Sequence, residues 1–401
     1  MNTSPAVIPA ATHRNVGLLI AAQALGGASP PIIISLGGLV GQMLSPDPTL
    51  STLPVSIFNL GLALSTLPVA WLMRRYGRRF TYLIGAVMAM LGGVVAAWGI
   101  VRGDFVQFCT GTALAGFYAA CVQSYRFAAA DAAPAFWRPV AISRVMIGGL
   151  IAAVIGPQLV IWTRESWGAV PFAGSFLSQA GLALLAVPIL LMLRMPKPST
   201  ESTEADGAAR TLREIARQPR FVVAVAAGVV SYGLMAFMMT AAPMAMVACG
   251  FTVSEAALGI QWHVLAMFGP SFFTGHLINR FGKPAVTALG LLLLAGSGLM
   301  ALAGLELTNF WGSLVLLGVG WNFGFIGATA MLTDCYRSSE RAKVQATNDF
   351  LMFGTVAVAS FGSGTLLNVS GWDSINLGMM PLVAVALLLL SWLWWYERRV
   401  S

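Results

Sequence analysis

Charge is scarce in this chain, and the scarcity excludes more than any motif does. Of 401 residues only 9% are Asp, Glu, Lys or Arg (15 acidic and 23 basic), while 57% are hydrophobic. Soluble domains carry about 25% charged residues, so a water-soluble globular protein is excluded. Histidine is scarcer still, at three residues. The four cysteines (Cys109, Cys121, Cys249, Cys335) fit neither a disulfide framework nor a zinc-ligand spacing. No hydrolase or nucleotide-binding motif is present, and no enzyme is expected. Residues 1–13 lack an apolar run with a cleavage site, so the expectation is that nothing is removed.

Apolar runs of roughly 20 residues take the place of the missing charge, each long enough to cross a hydrocarbon layer about 30 Å thick. They predict twelve spans, at 16–42, 52–73, 80–101, 105–127, 139–163, 170–193, 221–247, 255–279, 284–304, 310–332, 343–368 and 377–396. Pro30-Pro31 in the first span and Pro270 in the eighth predict bends. One long polar stretch interrupts the series. It divides the chain into six spans in residues 1–194, a linker at 195–220 with a short surface helix within Arg210–Arg217, and six spans in 221–401. The expected fold is an all-α membrane protein of twelve transmembrane helices in two pseudo-symmetric six-helix bundles.

The formal charge of +8 is a matter of topology. Basic residues fall on alternate connections, as in Arg74, Arg75, Arg78 and Arg79, or Arg280 and Lys283, or Arg398 and Arg399. The opposite connections hold only Arg102 and Arg164, beside acids such as Asp47, Asp104 and Glu306. By the positive-inside rule both termini are expected in the cytoplasm of a multi-pass bacterial inner-membrane protein. The lipid bilayer is thus an expected partner, and nucleic acid is not.

An internal repeat supports the six-plus-six division. Residues 70–79 (Ala-Trp-Leu-Met-Arg-Arg-Tyr-Gly-Arg-Arg) are echoed by residues 275–283 (Gly-His-Leu-Ile-Asn-Arg-Phe-Gly-Lys), with Arg75, Gly77 and Arg78 matching Arg280, Gly282 and Lys283. Glycine permits a tight turn between two helices. Here the chain resembles the major facilitator superfamily, whose signature loop runs Gly-x-Leu-x-Asp-Arg-x-Gly-Arg-Arg/Lys. Gly275 to Lys283 meet it with Asn279 at the acidic position; in the first copy Ala70 replaces the Gly and Arg74 the acid. The resemblance covers the whole chain and implies alternating access, with these two loops as gates whose charge network differs from the usual one. The patterns of the family's proton-coupled drug exporters are incomplete: Gln107–Gly111 lacks their arginine.

Arg126, Arg144 and Asp349, near span ends, are expected to form gate ion pairs, with proton coupling as the alternative. The interior amides Asn59, Gln123, Gln179 and Asn322 are expected to bond between helices.

Two pairs at helical spacing attract notice: Met235 with Met239 in the seventh span, and His263 with Met267 in the eighth. Residues four apart share a helix face. Counted from the outer ends, the pairs lie at matched depths of about 12 and 18 Å. Thioethers and an imidazole suit Cu(I). With 19 methionines in the chain, however, one Met-x-x-x-Met pair is expected by chance, and local chemistry leaves open both a metal site and a packed core with one satisfied histidine.

The two motifs resemble those of the CcoA-type bacterial copper importers. That resemblance implies copper as the transported substrate with no resident cofactor, ligated by Met235, Met239, His263 and Met267, with Cys249 as a capture or redox residue. It further implies a cytoplasmic copper chaperone or exporter as acceptor, a supply of copper for haem–copper oxidase assembly, and a monomer. Two rivals remain. One is an importer of riboflavin or another organic solute, in which Trp321, Tyr118 and Tyr232 could stack a flat ring. The other is a membrane copper sensor or assembly factor that does not transport.

Overall fold

The computed structural model describes residues 9–134, 137–168, 170–195 and 210–400. Among them the regular elements are helical: α1 Ala10–Gly26, α2 Ser29–Leu44, α3 Leu53–Tyr76, α4 Arg78–Arg102, α5 Phe105–Gln123, α6 Tyr125–Asp131, α7 Arg138–Thr163, α8 Ala173–Leu191, α9 Leu212–Ala216, α10 Pro219–Ala248, α11 Val253–Phe268, α12 Ser271–Phe281, α13 Lys283–Leu302, α14 Leu307–Leu332 and α15 Arg341–Val400. Ten helical stretches are long and apolar enough to cross a membrane. The eighth expected span is absent from those ten because it is broken into α11 and α12. The last two are merged in α15, where Gly371 (φ 79°, ψ −179°) departs from helical geometry. All twelve expected crossings therefore have helical counterparts.

A helix is interrupted at both proline positions. α1 ends at Gly26 and α2 starts at Ser29, so that Pro30 and Pro31 fall in a first helical turn, where a missing N–H costs no helical bond. α11 stops at Phe268, two residues before Pro270.

Among the described residues the chain divides into two compact units, Met1–Leu36 with Leu60–Thr200, and Gly37–Asn59 with Glu201–Ser401. In the first, α4 packs on α5 and α8, and α1 on α7. Its core holds Tyr82, Tyr118 and Tyr125, with the Tyr82 and Tyr125 rings edge-to-face at 4.6 Å. Polar ties gather at one end of this unit. Arg78 pairs with Asp131 and donates to the Tyr82 hydroxyl at 3.2 Å, Thr12 donates to the Ala132 carbonyl at 2.8 Å, and Asn15 donates to the Arg194 carbonyl at 2.8 Å.

In the second unit α10 packs on α14 and α15, α11 on α14, and α13 on α14 and α15. The hairpin from α2 to α3 belongs here. Asn368 of α15 donates to the Pro48 carbonyl at 2.9 Å and to Ser51 Oγ at 3.1 Å, and Asn59 donates to Ser360 Oγ at 2.9 Å. Charges again collect at one end, where Asp334 pairs with both Lys283 and Arg220, and Arg220 also approaches Glu397 at 3.8 Å.

Next to them the linker's end is clamped. The expected short helix is α9, opened by a capping box of Thr211 and Glu214; residues 196–209 of the expected linker lie outside the described residues. Arg210 grips the fully buried Glu340 carboxylate with its backbone N–H (2.8 Å), Nε (2.8 Å) and Nη2 (2.7 Å), and the Arg337 N–H adds a fourth bond at 2.9 Å. Bonds from Arg210 hold the Glu340 carboxyl well below the usual carboxylate range.

The signature glycines take matching conformations. Gly77 (φ 86°, ψ 163°) and Gly282 (φ 89°, ψ 155°) immediately precede α4 and α13, in a region that side-chain-bearing residues avoid. The repeat read in the sequence is thus a repeat of backbone geometry.

Gly77→Ala and Gly282→Ala should each cost about 1–3 kcal/mol, read as a lower Tm of the detergent-solubilised protein. Glu340→Gln should also lower Tm at neutral pH. A carboxyl held low stabilises the fold above its unfolded value of about 4.3 and loses that contribution as pH falls. The Tm gap between wild type and Glu340→Gln should therefore be constant from pH 8 to 6 and close on acidification below about pH 4.

Candidate functional site

The break between α11 and α12 organises the interior of the second unit. Pro270 has no N–H to donate, and the last carbonyls of α11 lose helical partners. In hydrocarbon such groups must be satisfied by the protein itself. Asn322, fully buried on α14, does this. Its Nδ2 donates to the Met267 carbonyl at 2.6 Å and to Ser271 Oγ at 2.7 Å, while its Oδ1 accepts from the Thr274 hydroxyl at 2.6 Å. This meets the sequence expectation of an interhelical amide bond and adds its purpose.

Beside Asn322 stands an aromatic cluster. The Trp321 ring stacks on Phe325 with centroids 4.9 Å apart and planes 15° from parallel. Tyr232 of α10 meets Trp321 at 5.3 Å, Phe325 at 5.4 Å and Phe353 at 5.8 Å, each edge-to-face, and Phe268 meets Trp321 at 6.2 Å. Four helical segments thus contribute rings to one place. Trp321 and Tyr232, singled out in the sequence as ring-stacking residues, come together. Tyr118 belongs to the first unit, where it is 1% exposed in the tyrosine core against Gly26. Phe268, Phe325 and Phe353 were not anticipated. Phe325 follows Trp321 by one helical turn, and Phe268 adjoins the Gly269-Pro270 break; Phe353 carries no sequence signal.

The soft-ligand quartet is buried throughout: Met235, Met239, His263 and Met267 all lie inside the second unit. His263 is engaged in packing. Its Nδ1–H donates to the Leu314 carbonyl of α14 at 2.8 Å, a bond made possible where Gly318 lets α11 approach, since a Cβ there would lie 2.5 Å from the His263 carbonyl oxygen. Its Nε2 is buried without a partner. Cys249 is exposed at the end of α10, where partial burial raises its thiol and disfavours the thiolate. Among the described residues no group of three or more His, Cys, Asp or Glu side chains is placed to hold a metal ion.

Of the gate residues, Arg78 and Lys283 find their acids at Asp131 and Asp334 rather than within the signature loops, where Arg74 and Asn279 stand. Arg75 and Arg280 lie over the rings of Tyr76 and Phe281 at 5.7 and 5.3 Å, and Arg79 and Gly275 are in α4 and α12. Arg126 lies over Phe127 at 4.8 Å and Arg144 over Trp137 at 5.0 Å, while Asp349 accepts from Asn348 at 3.3 Å.

Comparison with known proteins gives this architecture its context. The Major Facilitator Superfamily profile matches residues 15–323 and again 239–401. The chain belongs to that superfamily. It is 61% identical over 377 residues to the riboflavin transporter RfnT of Brucella anthropi, covering 94% of this chain and 95% of that one. It is 29% identical over 403 residues to the uncharacterised transporter YddS of Bacillus subtilis, covering 97% and 92%. The crystal structure of a nucleoside transporter NupG variant superposes with a TM-score of 0.71 at 12% identity, covering 94% of this chain and 99% of that one, and shares the fold. The all-α, twelve-crossing fold class is borne out, and the protein is a multi-pass membrane transporter of this superfamily.

One expectation is overturned. The copper-import function drawn from the CcoA resemblance, with its supply of copper for oxidase assembly, does not stand against a near-full-length relative at 61% identity that is a riboflavin transporter. There is a physical reason for the misreading. A methionine pair at helical spacing and a transmembrane histidine are also what helix packing produces, and His263 spends one nitrogen holding α11 to α14.

Asn322→Leu should strand the Met267 carbonyl in an apolar interior at about 1–3 kcal/mol, lowering Tm, whereas Asn322→Asp should be worse because it removes the same amide donor and also buries an ionisable group. Thermal unfolding of both variants in detergent checks the order.

Proposed function

We propose that this protein imports riboflavin, or a flat heteroaromatic solute of that kind, across the bacterial inner membrane by alternating access, with both termini in the cytoplasm. The observation that carries the reading is the 61% identity, along nearly all of both chains, to a riboflavin transporter. The aromatic cluster supports it chemically. A tricyclic ring system offers a large apolar face with one polar edge, and Tyr232, Trp321, Phe325, Phe353 and Phe268 supply the complementary faces and edges. The orientation rests on the basic connections, whose cations gather at one end of each unit.

Expression in a riboflavin-auxotrophic bacterium lacking its own importer should restore growth at low riboflavin and give saturable uptake of the radiolabelled vitamin. Phe325→Ala should reduce uptake about tenfold, the order expected for one lost base–aromatic-type stack. Wild-type protein present in the membrane with no uptake above the empty-vector strain would overturn the proposal.

A further inference from the structure

The aromatic cluster contains a polar atom that its packing does not use. Trp321 is 6% exposed, and its indole N–H is buried without an acceptor. The same helix shows the ordinary arrangement: Trp311 donates its Nε1–H to the Glu255 carbonyl at 3.0 Å. Leaving a buried donor unmade is costly, most of all in a membrane protein where water is not at hand. The ring stacks on Phe325 and is met edge-to-face by Tyr232 and Phe268. The N–H is its one hydrogen-bonding group, and it is unused.

A second unpartnered group stands nearby. Ser231 precedes Tyr232 on α10, and its buried hydroxyl faces α14 one turn beyond Trp321, where a Cβ on Gly324 would come within 2.4 Å of Oγ. A helical serine in an apolar setting ordinarily bonds back to the carbonyl one turn earlier, and Ser231 does not. Asn322, by contrast, has its amide fully used at the helix break. Trp372 also has an unpartnered N–H, but it packs on Phe310 outside this cluster. At Trp321 an idle donor coincides with convergent aromatic rings and a second idle hydroxyl.

We propose that Trp321 is a specificity-determining residue that donates its indole N–H to a carbonyl on the polar edge of the flat substrate, while Phe325 and Tyr232 provide the ring contacts. This rests on the reading of the protein as an importer of riboflavin-like solutes, whose ring system ends in an imide edge with two carbonyl acceptors. Sites that hydrogen-bond a substrate reject analogues lacking the partner far more strongly than apolar pockets do, so the N–H sets selectivity among flat rings.

The test is riboflavin uptake into proteoliposomes by wild type, by Trp321→Phe, and by protein carrying benzothienylalanine at position 321, which keeps the bicyclic shape and replaces N–H with sulfur. Both replacements should raise KM about tenfold, the worth of one hydrogen bond, with Vmax unchanged. A KM at the wild-type value in the benzothienylalanine protein would overturn the inference and leave the transport reading standing. No riboflavin uptake by the wild type would overturn both. The benzothienylalanine protein also separates a lost bond from a lost shape should Trp321→Phe fold poorly.

Discussion

Hydrocarbon offers a polypeptide no hydrogen bonds, and most of this structure follows from that. A continuous helix satisfies its own backbone, so the chain can cross the membrane wherever about 20 apolar residues run together. A broken helix cannot, and each interruption has to be repaired by a neighbour. At the interruption between α11 and α12 the repair comes from Asn322, whose amide reaches the Met267 carbonyl and Ser271 while accepting from Thr274. The residue just before it in sequence is Trp321. The side chain that mends the break and the ring that anchors the aromatic cluster are therefore placed by one turn of α14, and the position of the cluster is tied to the geometry of the bend.

The same constraint governs the few charges. In a chain with only 15 acidic residues, those at the helix ends have structural tasks. Asp131 holds Arg78, Asp334 is shared by Lys283 and Arg220, and Glu340 receives four donors from Arg210 and Arg337. The acid missing from each signature loop is thereby supplied from the end of another helix in the same unit. Pairs of this kind at exposed ends contribute little energy individually. Their effect is to fix which helix ends meet, and the buried Glu340 makes that true also of the linker's last residues.

How much of this could be read in the sequence varied with the physics involved. Span number, the repeat at Gly77 and Gly282, and the bends at Pro30-Pro31 and Pro270 depend on local composition and backbone sterics, and each appears where expected. Trp321 and Tyr232 were visible as amphipathic aromatics in oily helices, but Phe353 joins them only through tertiary packing. The methionines and His263 do not reveal the solute, because identity and spacing do not distinguish a ligand from a packing residue. The Leu314 carbonyl that holds His263 lies 51 positions away. Tyr118, the third aromatic read in the sequence, has its ring enclosed in the core of the first unit.

The hairpin at residues 37–59 has a consequence for how the protein is made. Its partners on α15 are synthesised much later: Thr52 bonds to the Phe361 carbonyl across 309 positions, and Asn368 reaches back 320 to Pro48. At a translation rate of about 5–20 residues per second, the hairpin waits roughly 15–60 s after emerging before its partner helix exists. A nascent chain cut short before α15 accordingly holds a hairpin that lacks its bonds to Phe361 and Asn368.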